Sequence, residues 1–345
     1  MSLSPAPFVP LPRPQVLAFL REIKERPEDD APRLLLADWL EEHNDPRGEF
    51  VRLQITRARL SPRDPRRPSL ERREQELVNR FGALWLGPLR TRPVHCRFDR
   101  GLVRIAVHAP HFFGGLPPEA VPSEAFAWVD GVMSIAALTA GAMESIAASP
   151  LLPNLNDFHL NASRLGPLGA ARLADLACLE RLTALYLWWG SIGPEGAAAL
   201  ARSPHLRNLR TLHLSGHKIG PGGAAALATS PYLTCLRNLR LGHNELGAEG
   251  VRRLSDSPHL AGLADLHLNE NQIGTEGALA LAASPHLRGL SALYLTDDTI
   301  GPAGAAALRG RFGHKVHLSC WNRCRATEPD NPHLWWRTRG SLARV

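Results

Sequence analysis

Hydrophobic positions recur along this chain with two different rhythms. From Leu155 onward a leucine opens a new unit every 27 residues, at Leu182, Leu209, Leu236, Leu263 and Leu290. Within a unit the pattern runs LxxLxLxxNx[LI], as in Leu182-Thr-Ala-Leu185-Tyr-Leu187-Trp-Trp-Gly-Ser-Ile192. The alternating part predicts a short strand whose leucines all point one way. Ile192-Gly193 then turns the chain, and Gly196-Ala-Ala-Ala-Leu200-Ala predicts a helix of small residues. Ser203-Pro204 ends that helix, because the residue before a proline avoids the helical region. A degenerate unit precedes in phase, from Trp128 through Met133, Leu138 and Ile146 to Leu152, and a shortened strand, Val316-His-Leu318, closes the series. One unit alone cannot bury its leucines; stacked units share a continuous core.

The N-terminal rhythm is helical. Val16, Leu17, Phe19, Leu20 and Ile23 make an amphipathic run. Asp30-Ala31-Pro32 starts a second helix through Glu42, and Asp45-Pro46 starts a third through Gln54. Leu36, Trp39, Leu40, Phe50 and Leu53 are the expected core of this small bundle. Pro62 to Pro68 reads as a basic linker before a charged helix, Leu70 to Phe81, and Phe98 to Val107 reads as a first strand. His111 to Val121, rich in Gly and Pro, reads as a loop.

The 27-residue units resemble the leucine-rich repeat family, and within it the ribonuclease-inhibitor-like class, over about residues 128–318. That resemblance implies an α/β solenoid with strands on the concave side and helices outside. The stretch Ala37-Asp-Trp-Leu-Glu-Glu42 and Asp45-Pro-Arg-Gly-Glu-Phe-Val-Arg-Leu-Gln54 resembles a small bacterial repeat-companion domain, which implies architecture and no particular chemistry. The expected organisation is a disordered arm (1–13), the helical companion module (14–60), a basic helix with a capping region (61–127), the solenoid (128–318) and a basic cap and tail (319–345).

On each strand the residue between the second and third leucines is expected to face solvent on the concave side. Read across the repeats, that row is Val132, His159, Tyr186, His213, Arg240, His267, Tyr294 and His317, with Trp188 and Trp189 flanking it. Such rings suit a protein interface. The same ladder could equally stack on itself with no partner, and either tryptophan could fold over a strand end as a plug. Clustered histidines predict binding that changes between roughly pH 5.5 and 7.5. Asn244 and Asn271 are read as structural, bonding backbone at the strand-to-turn corner, with Ser163, Gly190, His217 and Asp298 interrupting their series.

Composition narrows the function classes. The 345 residues are 44% hydrophobic and 21% charged, which excludes a mainly disordered chain. No apolar stretch reaches the roughly 20 residues of a spanning helix, and the proline-rich N-terminus lacks the pattern of a signal peptide. Five scattered cysteines argue against a disulfide scaffold. A cytoplasmic protein is therefore expected. Net charge is +7, divided as +5 over residues 1–110, −3 over 111–310 and +5 over 311–345. Nucleic acid or an acidic partner at the arginine-rich linker and tail is the alternative reading; the middle gives it no support.

Motifs for nucleotide binding, zinc proteolysis and serine hydrolysis are absent, and there is no CxxC pair. His314, His317, Cys320 and Cys324 are zinc-capable but match no usual structural spacing. Asp38, Glu41, Glu42, Asp45 and Glu49 read as a solvated face and caps. The sequence thus predicts a non-enzymatic scaffold without cofactor or metal, binding a protein partner on the concave row.

Overall fold

The computed structural model describes residues 12–91, 94–107, 124–135, 137–162, 164–296, 300–319 and 343–344. The expected arm up to residue 11, the loop at 111–121, Ser163, Asp298 and most of the tail, with Cys320 and Cys324, lie outside the described residues. The chain divides into two compact units: residues 1–133 with 149–155 and 336–345, and residues 134–148 with 156–335.

In the first unit, α1 (Pro14–Glu25), α2 (Ala31–Glu42), α3 (Arg47–Arg59) and α4 (Arg67–Leu86) follow one another. Proline stands in the first turn of α1, α2 and α4, where its missing N–H costs nothing. Val16, Leu20, Leu36, Leu40, Phe50, Val51 and Ile55 are buried. Trp39 and Leu53, expected in this core, are only half-buried. The inward face of α3 runs through Phe50, Val51, Gln54 and Ile55, a three-and-four spacing that leaves Leu53 on the flank. Trp39 stacks on His43, one turn on, at 3.8 Å.

The expected first strand is instead a hairpin, β1 (Val94–Asp99) and β2 (Leu102–Val107), paired antiparallel. Arg100 and Gly101 both adopt positive φ (45° and 88°), the geometry of a tight two-residue turn. Gly101 is also required by space, since a Cβ there would stand 2.6 Å from Val51 Cγ2. Ala343–Arg344 pairs antiparallel with β1. A short helix, α5 (Glu124–Ala127), leads into β3 (Val129–Ser134).

In the second unit, α6 (Ala142–Ala147) precedes a regular alternation: β4 (Asp157–Asn161), α7 (Gly166–Ala174), β5 (Ala184–Trp188), α8 (Gly193–Arg202), β6 (Thr211–His213) and α9 (Gly220–Ala228). It continues through β7 (Asn238–Arg240), α10 (Gly247–Ser255), β8 (Asp265–His267), α11 (Gly274–Ala283), β9 (Ala292–Thr296), α12 (Gly301–Phe312) and β10 (Val316–Ser319). β4 to β10 form a parallel sheet in sequence order, each strand shifted by one repeat from the last. This alternation is the α/β solenoid that the resemblance to leucine-rich repeats implies. Leu185, Leu187, Leu212, Leu214, Leu239 and Leu241 are fully buried, as the alternation requires. Small residues bring the helices together: a Cβ on Gly196 would lie 3.0 Å from Ala170 Cβ on the preceding helix.

Two hydrogen-bond ladders hold the repeats together. At the strand-to-turn corner, Asn244 Nδ2 donates to Leu214 O (2.6 Å), and its Oδ1 accepts from the backbone N–H of His217 (2.9 Å). Asn271 does the same for the next repeat, to Leu241 O and from Asn244 N. His217 does not interrupt this series. Its Nε2 donates to Leu187 O at 3.1 Å, the bond an asparagine would make from that place. At the helix ends, Ser203, Ser230 and Ser284 each donate at 2.5 Å to a carbonyl of the preceding repeat, and Ser257 makes the same bond to Ala228 O. The Ser-Pro pairs therefore do more than stop helices: the serine bridges repeats.

Candidate functional site: a ring ladder on the sheet face

Strand register aligns the predicted row residue by residue. His159, Tyr186, His213, Arg240, His267, Tyr294 and His317 stand opposite one another on successive strands. Adjacent parallel strands lie about 4.8 Å apart, close enough for rings on neighbouring strands to stack. His159 and Tyr186 do so at 4.0 Å and 5°. His267 and Tyr294 stack at 4.1 Å, and Tyr294 and His317 at 4.6 Å. Trp188, reaching across from the next position on its own strand, meets His213 edge-on at 4.2 Å.

This stacking corrects the expectation that the row faces solvent. His159, His213, Arg240, His267 and Trp188 are buried, because each ring is covered by its neighbours; Tyr186 and Tyr294 are half-buried and His317 is exposed. Trp189 is the large apolar side chain left out, 55% exposed. Its backbone is left-handed (φ 42°), which turns the indole across the next repeat. There it lies over Gly216, where a Cβ would stand 2.5 Å from the ring, and comes within 5.2 Å of His243.

Burial also moves His213, His217 and His267 out of the expected pH window. Desolvation, aided by the positive charge of Arg240, holds His213 well below its ordinary value and lowers His267 to about 3. Desolvation lowers His217 to about 4, against the opposing effect of its bond to Leu187 O. These three rings are neutral throughout the range from pH 5.5 to 7.5.

Residues outside the predicted set complete the face. Asp157 Oδ1 lies 2.7 Å from His159 Nε2, and Asn238 Oδ1 accepts from Arg240 Nε at 3.4 Å. Both stand two residues before the row on their own strands, so strand parity already places them beside it. Trp188 Nε1 and His213 Nδ1 are buried without a hydrogen-bond partner among the described residues.

Other candidates fall to structural work. In the first unit Arg52 pairs with Asp38 and Glu41, and Arg73 with Glu49 and Glu76. Asp45 Oδ1 caps the N–H of Arg47, and its Oδ2 takes Arg13 at 2.9 Å. Arg57 of α3 bonds Glu74 (2.6 Å), and of the linker arginines Arg66 bonds Asp64 and Arg67 donates to the carbonyls of Arg57 and Leu60. No group of three or more metal-capable side chains occurs among the described residues. Likewise, among the described residues no helix is long and apolar enough to cross a membrane.

Comparison with known proteins locates the repeats independently. The family model described as Leucine Rich repeat matches residues 205–228, 232–255 and 263–282. No curated protein matches the chain. Among solved structures it is similar to an internalin (inlF) from Listeria monocytogenes, with 18% identity over 56% of this chain and a TM-score of 0.38. The chain spans about half, 55%, of that protein.

Proposed function

We propose that the second unit is a non-enzymatic protein-recognition scaffold whose partner lies along the sheet face formed by His159, Tyr186, Trp188, Trp189, His213, Arg240, His267, Tyr294 and His317. The observation that carries this reading is Trp189, an indole fixed by its backbone and by Gly216 yet more than half exposed beside a preformed row of rings. Rings already stacked lose little freedom on binding, so such a face suits rigid aromatic anchoring. Leucine-rich repeats generally serve protein–protein interaction, which supports the reading. The strand and helix in every 27-residue unit fit the ribonuclease-inhibitor-like class, and the first three helices fit a companion module beside it. Cys96, Cys178 and Cys235 form no disulfide among the described residues, and a reducing cytoplasmic setting fits that.

The test is affinity capture from native lysate, comparing the wild type with a Tyr186→Ala/Trp189→Ala/Tyr294→Ala variant whose thermal melt shows it folded. A protein recovered with the wild type and lost with the variant is the expected result. Equal recovery by both overturns the reading.

A further inference from the structure

Residues 111–310 carry a net charge of −3, which gives no hint of a polyanion site. The fold sorts those charges to two rims. Where helices end and strands begin (residues 202–210, 229–237, 256–264 and 283–291), there are Arg202, Arg207, Arg210, Arg237 and Arg288 against Asp256 alone. Where strands end and helices begin (188–195, 215–222, 242–249 and 269–276), there are Glu195, Glu245, Glu249, Glu270 and Glu276 against Lys218 alone. Over these four repeats one rim is +4 and the other −4; the equivalent turn before them, 175–183, adds Asp175 and Glu180 against Arg181 to the basic rim.

The aligned helix dipoles account for part of this sorting, since acids favour helix N-termini and cations C-termini. Two features of the basic rim fall outside that account. Arg210 and Arg237 stand past the helix ends, next to the starts of β6 and β7. The rim also carries one ring per repeat at a fixed place, His205, Tyr232, His259 and His286, all half-buried. Rings add no charge, so the dipole gives no reason for them.

We infer that this rim binds single-stranded nucleic acid. Arg202, Arg207 and Arg210 in one repeat, Arg237 in the next and Arg288 two repeats on meet phosphates, the repeat between them (256–264) carrying no cation, and the one ring in every repeat offers a stacking face to unpaired bases. Arg202, Arg210 and Arg288 are exposed, and their side chains make no hydrogen bond or ion pair with any described residue. Arg237 bonds Gly262 O at 2.7 Å, which holds its guanidinium at the rim. Glu180 from the preceding repeat takes His205 at 3.3 Å and Arg207 at 3.5 Å, so the binding strip begins beside it and runs towards Arg288. A duplex is disfavoured because its bases are already stacked and paired and cannot use the ring row.

The test is fluorescence anisotropy of a labelled oligouridylate of roughly twelve nucleotides with the full chain, titrated at several salt concentrations. Five phosphate contacts predict a salt slope of about −3.5, a loss of roughly a hundred-fold in affinity between about 50 and 200 mM salt. The Arg207→Glu/Arg210→Glu/Arg237→Glu/Arg288→Glu variant, confirmed folded by its melt, should lose binding. Glu245→Gln/Glu276→Gln on the other rim should keep it. Tyr232→Ala should weaken binding roughly ten-fold with the slope unchanged, and Tyr232→Phe should restore it. The inference is overturned if the wild type does not bind at low salt or if the arginine variant binds as well as the wild type. Equal binding of a duplex, or equally strong competition by polyglutamate, also overturns it, the last by pointing to an acidic protein. None of these readouts depends on the ring ladder of the sheet face.

Discussion

The imidazole of His217 fills the space that a side chain on Gly190 would need: its Cε1 lies 2.9 Å from where a Cβ on that glycine would stand. The ring reaches so far because it spans from its own corner to Leu187 O in the repeat before, doing from a longer side chain what Asn244 does from a shorter one. Gly190 is also pressed by backbone, with Ala162 O only 2.4 Å from the same Cβ position. Gly190→Ala should therefore destabilise the second unit by about 1–3 kcal/mol. His217→Asn should not rescue it, because the backbone contact remains. Urea unfolding of both single variants and the double variant checks this; recovery in the double variant would show that the ring alone sets the constraint.

The buried histidines predict an acid-sensitive fold. In the unfolded chain an imidazole takes up its proton near pH 6.5, while His213, His217 and His267 resist it when folded. The unfolded state then binds more protons, so stability is complete above about pH 6.5 and falls as pH drops towards the folded values of about 4 for His217 and about 3 for His267. Each ring contributes a slope of up to about 1.4 kcal/mol per pH unit. Around His213 the groups that oppose protonation are Arg240, His267, His217 and His159. His217→Asn keeps the ladder bond and removes one titrating group, so its urea-derived stability should fall less steeply between about pH 6 and 4 by about 1.4 kcal/mol per unit. Parallel curves for wild type and variant would refute the assignment.

The repeat period was enough to place every strand and helix of the second unit, because a leucine spacing of 27 residues leaves one consistent stacking of units. It also put His159, Tyr186 and Arg240 on one face, since strand parity is local. Exposure was not legible. Whether Tyr186 meets solvent depends on His159 stacking at 4.0 Å from the strand beside it, a contact between residues 27 positions apart. The same holds for His217, which looked like an interruption because the asparagine pattern names a residue type, whereas the ladder needs only a donor within reach of Leu187 O. In the first unit, Arg100-Gly101 carried the signal of a turn, but the apolar run on either side read as one strand.

The serine ladder makes a prediction at a residue whose apparent role was only to end a helix. Ser230 Oγ donates to Ala201 O at 2.5 Å and accepts from the N–H groups of Tyr232 and Leu233, both at 3.2 Å. Ser230 and its bonds to Ala201 O and Leu233 N are buried, so removing the hydroxyl leaves a carbonyl and a donor there without their partner. Ser230→Ala should cost about 1–3 kcal/mol, and Ser284→Ala, which loses the same set of bonds to Ser255 O, His286 N and Leu287 N, a similar amount. A Pro231→Ala variant should cost less than Ser230→Ala in the same denaturation assay. The reverse order would mean that helix termination, and not the bridge between repeats, is what the Ser-Pro pair supplies.

The Asp45-Pro-Arg-Gly-Glu-Phe50 stretch is a packing device of the first unit. The Arg47 guanidinium lies over the rings of Trp128 (4.7 Å) and Trp85 (5.8 Å), and it donates to Trp85 O at 3.0 Å. Burial lowers its pKa to about 10, against the pull of Asp45 and Glu124, so it remains charged at neutral pH. Glu124 is itself pushed up by burial, but hydrogen bonds from Arg13 and Trp128 outweigh that and hold it below its ordinary value. Beside it, Gly48 lets α3 approach α2 so closely that a Cβ would stand 2.6 Å from Ala37 O and 2.9 Å from Glu41 N. Gly48→Ala should therefore cost about 1–3 kcal/mol by forcing the helices apart. Arg47→Lys keeps the charge but loses the planar stack and should cost about 1–2 kcal/mol. Hydrogen exchange should show faster opening of α2 and α3 in Gly48→Ala, with the protection of β5 to β8 unchanged. Unaltered exchange in α2 and α3 would mean that the glycine serves something other than helix contact.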